Sequence, residues 1–165
     1  MVQTENANTG TAHVYWPDGT WVGQIDLARL CALHAKFEHT YLTNPRLFAK
    51  LDCRLEDFEK EVALLLQRWR KDTKGVGEKA LLRQHGSLHP LLLSALRDAL
   101  GITTELFASP LNHTTYMPQY RSAEPRDQLF GATGDAYEAL WTGACFAHPP
   151  ETDQDVERAV RSPVP

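Results

Sequence analysis

Residues 144–150, Ala-Cys-Phe-Ala-His-Pro-Pro, narrow most sharply what this chain can fold into. Proline has no main-chain N–H to give to a ladder, so an apolar strand that runs into two of them must leave its sheet there. Its last residues then point out of a sheet edge, with His148 just before the prolines and Glu151 just after. Residues 102–110, Ile-Thr-Thr-Glu-Leu-Phe-Ala-Ser-Pro, have the same texture: β-branched and apolar residues run on until Pro110 breaks them. The first of these runs follows a helical segment, and the second, from Trp141 to Pro150, precedes a short acid-started one, 152–162. The residues between them, 116–135, hold two prolines and two glycines and read as loop. Helix, strand, loop, strand, helix is the opening of an α/β sheet.

Upstream the pattern is mainly helical. Pro17-Asp18-Gly19 between apolar runs predicts a small β-hairpin over 12–24, since Pro presets one dihedral and Gly supplies the positive one. Asp26 caps a helix whose face is Leu27, Leu30, Cys31 and Phe37, with Leu33 at its edge. Residues 43–51 predict a short turn and helix. The clearest helix spans 55–73, with Leu55, Phe58, Val62, Leu65, Leu66 and Trp69 on one face, acids in its first turns and bases in its last. Gly75 and Gly77 follow without a phosphate-loop spacing and read as a flexible connector. A further helix has Ser87 as candidate cap, Pro90 in its first turn and Gly101 as its stop. The expected organisation is a disordered polar tail over 1–11, a helical region with the hairpin over 12–101, and a sheet region over 102–165.

Charge separates the two regions. Residues 1–102 carry 13 Lys and Arg against 12 Asp and Glu, and residues 103–165 carry 4 Arg against 9 acids. Phosphate contact is therefore expected on the first region, where Lys71, Lys74, Lys79 and Arg83 cluster. No apolar run approaches the length of a membrane span, and the N-terminus lacks a signal-peptide pattern. Cys31, Cys53 and Cys145 are odd in number and without metal-ligand spacing, as expected for reduced thiols in an intracellular protein. His85 and His89 are separated by Gly86 with no third ligand near, so no metal site is expected.

Three segments in order carry a resemblance. Residues 107–112, Phe-Ala-Ser-Pro-Leu-Asn, match in full a stretch of the phosphorylated-CTD-interacting-factor family, the cap-specific adenosine N6-methyltransferases. Residues 121–134 match that family at Ser122, Ala123, Pro125, Asp127, Phe130, Gly131 and Gly134, and the strand ending at Pro149-Pro150 follows in the family's order. The resemblance implies an α/β, Rossmann-like methyltransferase fold that uses S-adenosylmethionine. It places Phe107, Ala108, Ser109, Pro110, Leu111 and Asn112 at the cofactor, beyond the carboxyl end of a strand, where open α/β sheets bind ligands. Read from the residues alone, Asn112 is a side-chain cap on its own turn.

In the family an Asn-Pro-Pro-aromatic motif holds the exocyclic amine of adenine for methylation and stacks on the base. Here His148, Pro149, Pro150 and Glu151 occupy that motif. Neutral imidazole keeps one acceptor nitrogen, while glutamate cannot stack. The resemblance further implies capped mRNA or other RNA as substrate and a nuclear location. It also implies a sheet that needs a partner chain or a further C-terminal segment to cover its edge. The alternative reading is a non-catalytic module for RNA or protein docking. No WW module is expected, because a single turn joins Trp16 to Trp21.

Overall fold

The computed structural model describes residues 2–3, 10–71, 88–138, 140–149 and 153–161. The chain divides into two units, Met1–Gly75 and Val76–Pro165.

The first unit opens with an antiparallel sheet of β1 (Val2–Gln3), β2 (Thr11–Tyr15) and β3 (Trp21–Asp26), with β2 in the middle. The stretch expected as a tail, 1–11, thus supplies β1 and the first residue of β2. The β2–β3 hairpin forms as the turn residues dictate. Gly19 adopts a left-handed φ of 83°, its N–H donates to the Trp16 carbonyl at 2.9 Å, and Asp18 Oδ1 accepts from the Thr20 N–H at 2.9 Å. Ala12 and Val14 of β2 alternate inward, and Val22 and Ile25 of β3 are buried with them.

Helix α1 (Leu27–Thr43) starts directly after β3, with Asp26 Oδ1 accepting from the Arg29 N–H at 3.0 Å. Its buried residues are Leu33 and Phe37; Leu27 and Leu30 are half-buried and Cys31 is exposed. Of the expected face, Phe37 is buried, and the buried stripe takes in Leu33 from its edge in place of Leu27, Leu30 and Cys31. The cause is aromatic packing: Phe37 lies edge-on to Phe48 at 4.9 Å and to Phe58 at 5.5 Å. Asn44 caps α2 (Pro45–Lys50), with Pro45 in its first turn. A 3-10 turn, Leu55–Asp57, precedes α3 (Phe58–Lys71), so Leu55 stays outside the helix and 41% exposed. Val62, Leu65 and Leu66 bury as their spacing predicts. At the far end of α3, Arg70 donates to the Val22 carbonyl and its guanidinium lies 4.3 Å from the centre of the Trp21 ring, which ties the helix to β3.

In the second unit, helix α4 (Pro90–Leu100) is capped by His89, whose Nδ1 accepts from the Leu91 N–H at 3.3 Å. Ser87, the expected cap, lies outside the described residues. Gly101 ends the helix at a left-handed φ of 67°. Leu93 is buried with Ile102 and Met117, so α4 packs with the sheet it leads into, although its sequence texture groups it with the helices upstream.

That sheet has the order β5-β4-β6 and is parallel throughout. Its strands are β4 (Thr104–Leu106), β5 (Gln119–Arg121) and β6 (Cys145–Ala147). Strand β5 lies in the stretch expected to be loop. It has three residues and only Tyr120 is buried, so no run of apolar residues announces it. The strand expected over 141–150 is reduced to β6, because Gly143 at φ 76° turns the chain just before it. Between β5 and β6 the chain makes a closed excursion through a 3-10 helix, Pro125–Phe130. The Tyr120 hydroxyl donates to the Phe130 carbonyl at 2.9 Å, and the Thr133 N–H donates back to the Tyr120 carbonyl at 2.8 Å. Helix α5 (Asp153–Val160) follows β6.

Candidate functional site: the carboxyl edge of the parallel sheet

The register decides which residues meet. Leu106 is level with Arg121 on one side and Ala147 on the other. The next residues along the three strands, Phe107, Ser122 and His148, therefore follow the paired residues at the carboxyl edge of the sheet. Strand β5 lies on one side of β4 and β6 on the other. The chain thus goes out to one side after β4 and comes back across it to form β6. Open α/β sheets bind ligands at such a change of direction, outside the carboxyl ends of the strands.

The turn after β4 is closed on itself. Asn112 Oδ1 accepts from the Ser109 N–H at 2.6 Å, Ser109 Oγ accepts from the Leu111 N–H at 3.2 Å, and the Ser109 carbonyl accepts from the His113 N–H at 2.9 Å. Ala108 and Pro110 are buried, while Phe107, Ser109, Leu111 and Asn112 are half-buried. The reading of Asn112 as a local cap is thus realised in its Oδ1. Phe107 has a φ of 68°, a left-handed conformation that a bulky residue rarely takes.

The turn after β5 is polar and buried. Ser122 and Asp127 are 4% and 2% exposed, and the Ser122 hydroxyl donates to Asp127 Oδ2 at 2.7 Å. Burial, with the negative charge of Asp127 beside it, pushes the Tyr120 phenol well above its ordinary value. In the middle of β4, Glu105 is buried. A carboxylate oxygen accepts from the Thr114 main chain, whereas Oε2 has no partner. Burial raises its pKa.

At the exit of β6, His148 is half-buried and lies parallel to Phe146 with ring centres 6.5 Å apart. Pro149 is half-buried. Pro150 and Glu151 lie outside the described residues, as do Lys74 and Lys79; Lys71 closes α3. No group of side chains suited to hold a metal occurs among the described residues. No described helix is long and apolar enough to cross a membrane.

Sequence reasoning missed an aromatic group at the same edge. Phe107 lies edge-on to Tyr137 at 4.8 Å and to Trp141 at 6.0 Å. The Tyr137 hydroxyl donates to Asp155 Oδ1 at 2.9 Å, and the Arg158 guanidinium sits 3.9 Å from the centre of its ring. Burial and the Asp155 carboxylate together raise the Tyr137 phenol above its ordinary value. A tryptophan two residues before a left-handed glycine was the available signal, but Trp141 reads more naturally as the start of a strand.

The fold is mixed α/β, with a small antiparallel sheet in the first unit and a three-stranded parallel sheet in the second. A family model described as the phosphorylated CTD interacting factor 1 WW domain matches residues 36–163. This chain belongs to the phosphorylated CTD interacting factor 1 family. The matched stretch contains helices and the parallel sheet, and the antiparallel sheet bearing Trp21 lies ahead of it. A search of curated proteins returns no match to the chain.

Proposed function

We propose that this chain carries the cofactor-facing part of an S-adenosylmethionine-dependent RNA adenine-N6 methyltransferase site. The observation that supports the reading is the register that sets Leu106 level with Arg121 and Ala147, so that the chain passes on to Phe107, Ser122 and His148 from one edge of the sheet. The turn 107–112 is the cofactor wall, and the exit of β6 is where the adenine amine is presented. His148 supplies an acceptor only as neutral imidazole. Capped mRNA is the substrate class, bound through the basic end of α3 and the residues after it, and the nucleus is the expected location. Further β-structure, from a partner chain or a continuation of this one, pairs with the outer edge of β6.

Calorimetric titration of the chain with S-adenosylmethionine tests this. Saturable binding at one site supports it, and the absence of any binding overturns it. One observation favours a second reading, a non-catalytic docking module: Ser109 and Asn112 spend hydrogen-bonding capacity on each other. RNA binding without cofactor binding would select that reading.

A further inference from the structure

We propose that Phe107 and Trp141 form a stacking corner for an adenine ring above the carboxyl end of β4. The inference deepens the proposed function and rests on it. Residues 122–144 join β5 to β6, which lie on opposite sides of β4, and Tyr137 and Trp141, late in that connection, meet Phe107 at the end of β4. Two hydrogen bonds fix this crossing: Arg121 Nη1 donates to the Leu140 carbonyl at 2.9 Å, and the Trp141 indole N–H donates to the Ala136 carbonyl at 2.8 Å. The indole plane is therefore set in advance, and a ligand that stacks on it orders little on binding.

The three rings of the group differ in what they offer. Tyr137 is buried, covered by Arg158 and held by Asp155. Phe107 and Trp141 are half-buried, and their planes meet at 82°. A flat aromatic ligand satisfies both at once, face against one ring and edge against the other. The left-handed backbone of Phe107 turns that residue out of the strand at the rim. Bulky residues keep such a conformation only where the surroundings impose it, and sites that bind ligands are where it concentrates. The corner supplies in another place the aromatic surface that Glu151 does not provide.

Adenine occurs in both the cofactor and the RNA, and two titrations separate the sources. S-adenosylmethionine is titrated by calorimetry, and a capped oligoribonucleotide beginning with adenosine is followed by fluorescence anisotropy. Trp141→Leu should weaken one of the two by about tenfold, the scale of one lost base–aromatic stack. Trp141→Phe should stay near the parent. Equal affinities of parent and Trp141→Leu for both ligands would overturn the corner and leave the proposed function standing. A parent that binds neither ligand overturns both. Should Trp141→Leu fail to fold, the indole N–H resonance of Trp141 in the unmodified chain decides. It shifts on saturation if the corner is occupied, and an unmoved resonance refutes the assignment.

Discussion

Asn112 Oδ1 accepts the Ser109 N–H at 2.6 Å and closes the turn that follows β4. Asn112→Ala removes that acceptor and leaves a half-buried N–H with less compensation. It should cost about 1 kcal/mol of stability and weaken S-adenosylmethionine binding by at least about 1 kcal/mol. Asn112→Asp keeps an acceptor at the same place. Thermal melts paired with calorimetry separate the two effects. Near-parent binding in the aspartate variant marks the cap as the contribution, and a loss in both variants with a normal melt in the aspartate one marks the amide nitrogen.

Glu105 gives a pH dependence with a definite sign. Its folded pKa is raised from 4.5, by burial first and against the Thr114 main-chain hydrogen bond. The folded state thus holds the proton to higher pH than the unfolded chain. The resulting stabilisation is complete below the unfolded value and is lost as pH rises through the raised folded one. Glu105→Gln cannot lose it. Denaturation curves taken from acid to neutral pH should show the variant gaining on the parent across that window and holding a constant lead above it. A lead that shrinks with pH would contradict the burial argument.

RNA contact should fall on the basic stretch that begins at the end of α3. Replacing Lys71, Lys74 and Lys79 together by Gln should weaken RNA binding. It should also reduce the slope of log K against log salt by up to about 2, at ~0.7 per phosphate contact on a single strand. Binding isotherms at several salt concentrations check this; an unchanged slope places the phosphates elsewhere.

Methyl transfer by the chain alone should be undetectable with labelled S-adenosylmethionine and capped RNA beginning with adenosine. A missing stack at Glu151 costs ~1–3 kcal/mol, and a displaced acceptor at His148 costs on the order of a hundredfold in rate. His148→Asn with Glu151→Phe should not restore turnover unless further strands complete the sheet. Clear turnover by the unmodified chain would refute this.

What the sequence made legible was local. The hairpin turn at Gly19, the capped start of α1 at Asp26, the buried stripe of α3 and the stop of α4 at Gly101 each depend on neighbours a few residues away. Strand β5 and the register of the parallel sheet did not show. Leu106 meets Ala147 across a long crossover, and no tight turn ties the two in sequence. The candidate residues at 107–112 and 148–151 came from a resemblance, whereas the level ends of the strands at Leu106, Arg121 and Ala147 are a fact of pairing. Trp141 went unnoticed because its use depends on a neighbour, Phe107, whose backbone departs from the strand it ends.

The excursion between Tyr120 and Thr133 has a consequence for how such chains can change length. Its ends are fastened to each other by the Tyr120 hydroxyl and carbonyl, so the entropy of closing it is set within the loop and not by the rest of the sheet. Closure entropy grows slowly, about 0.6 kcal/mol for each doubling of loop length. Extra residues at an exposed position of it such as Ala123 would lengthen the loop without moving β5. The rim could therefore acquire new neighbours while the strands beneath it keep their register.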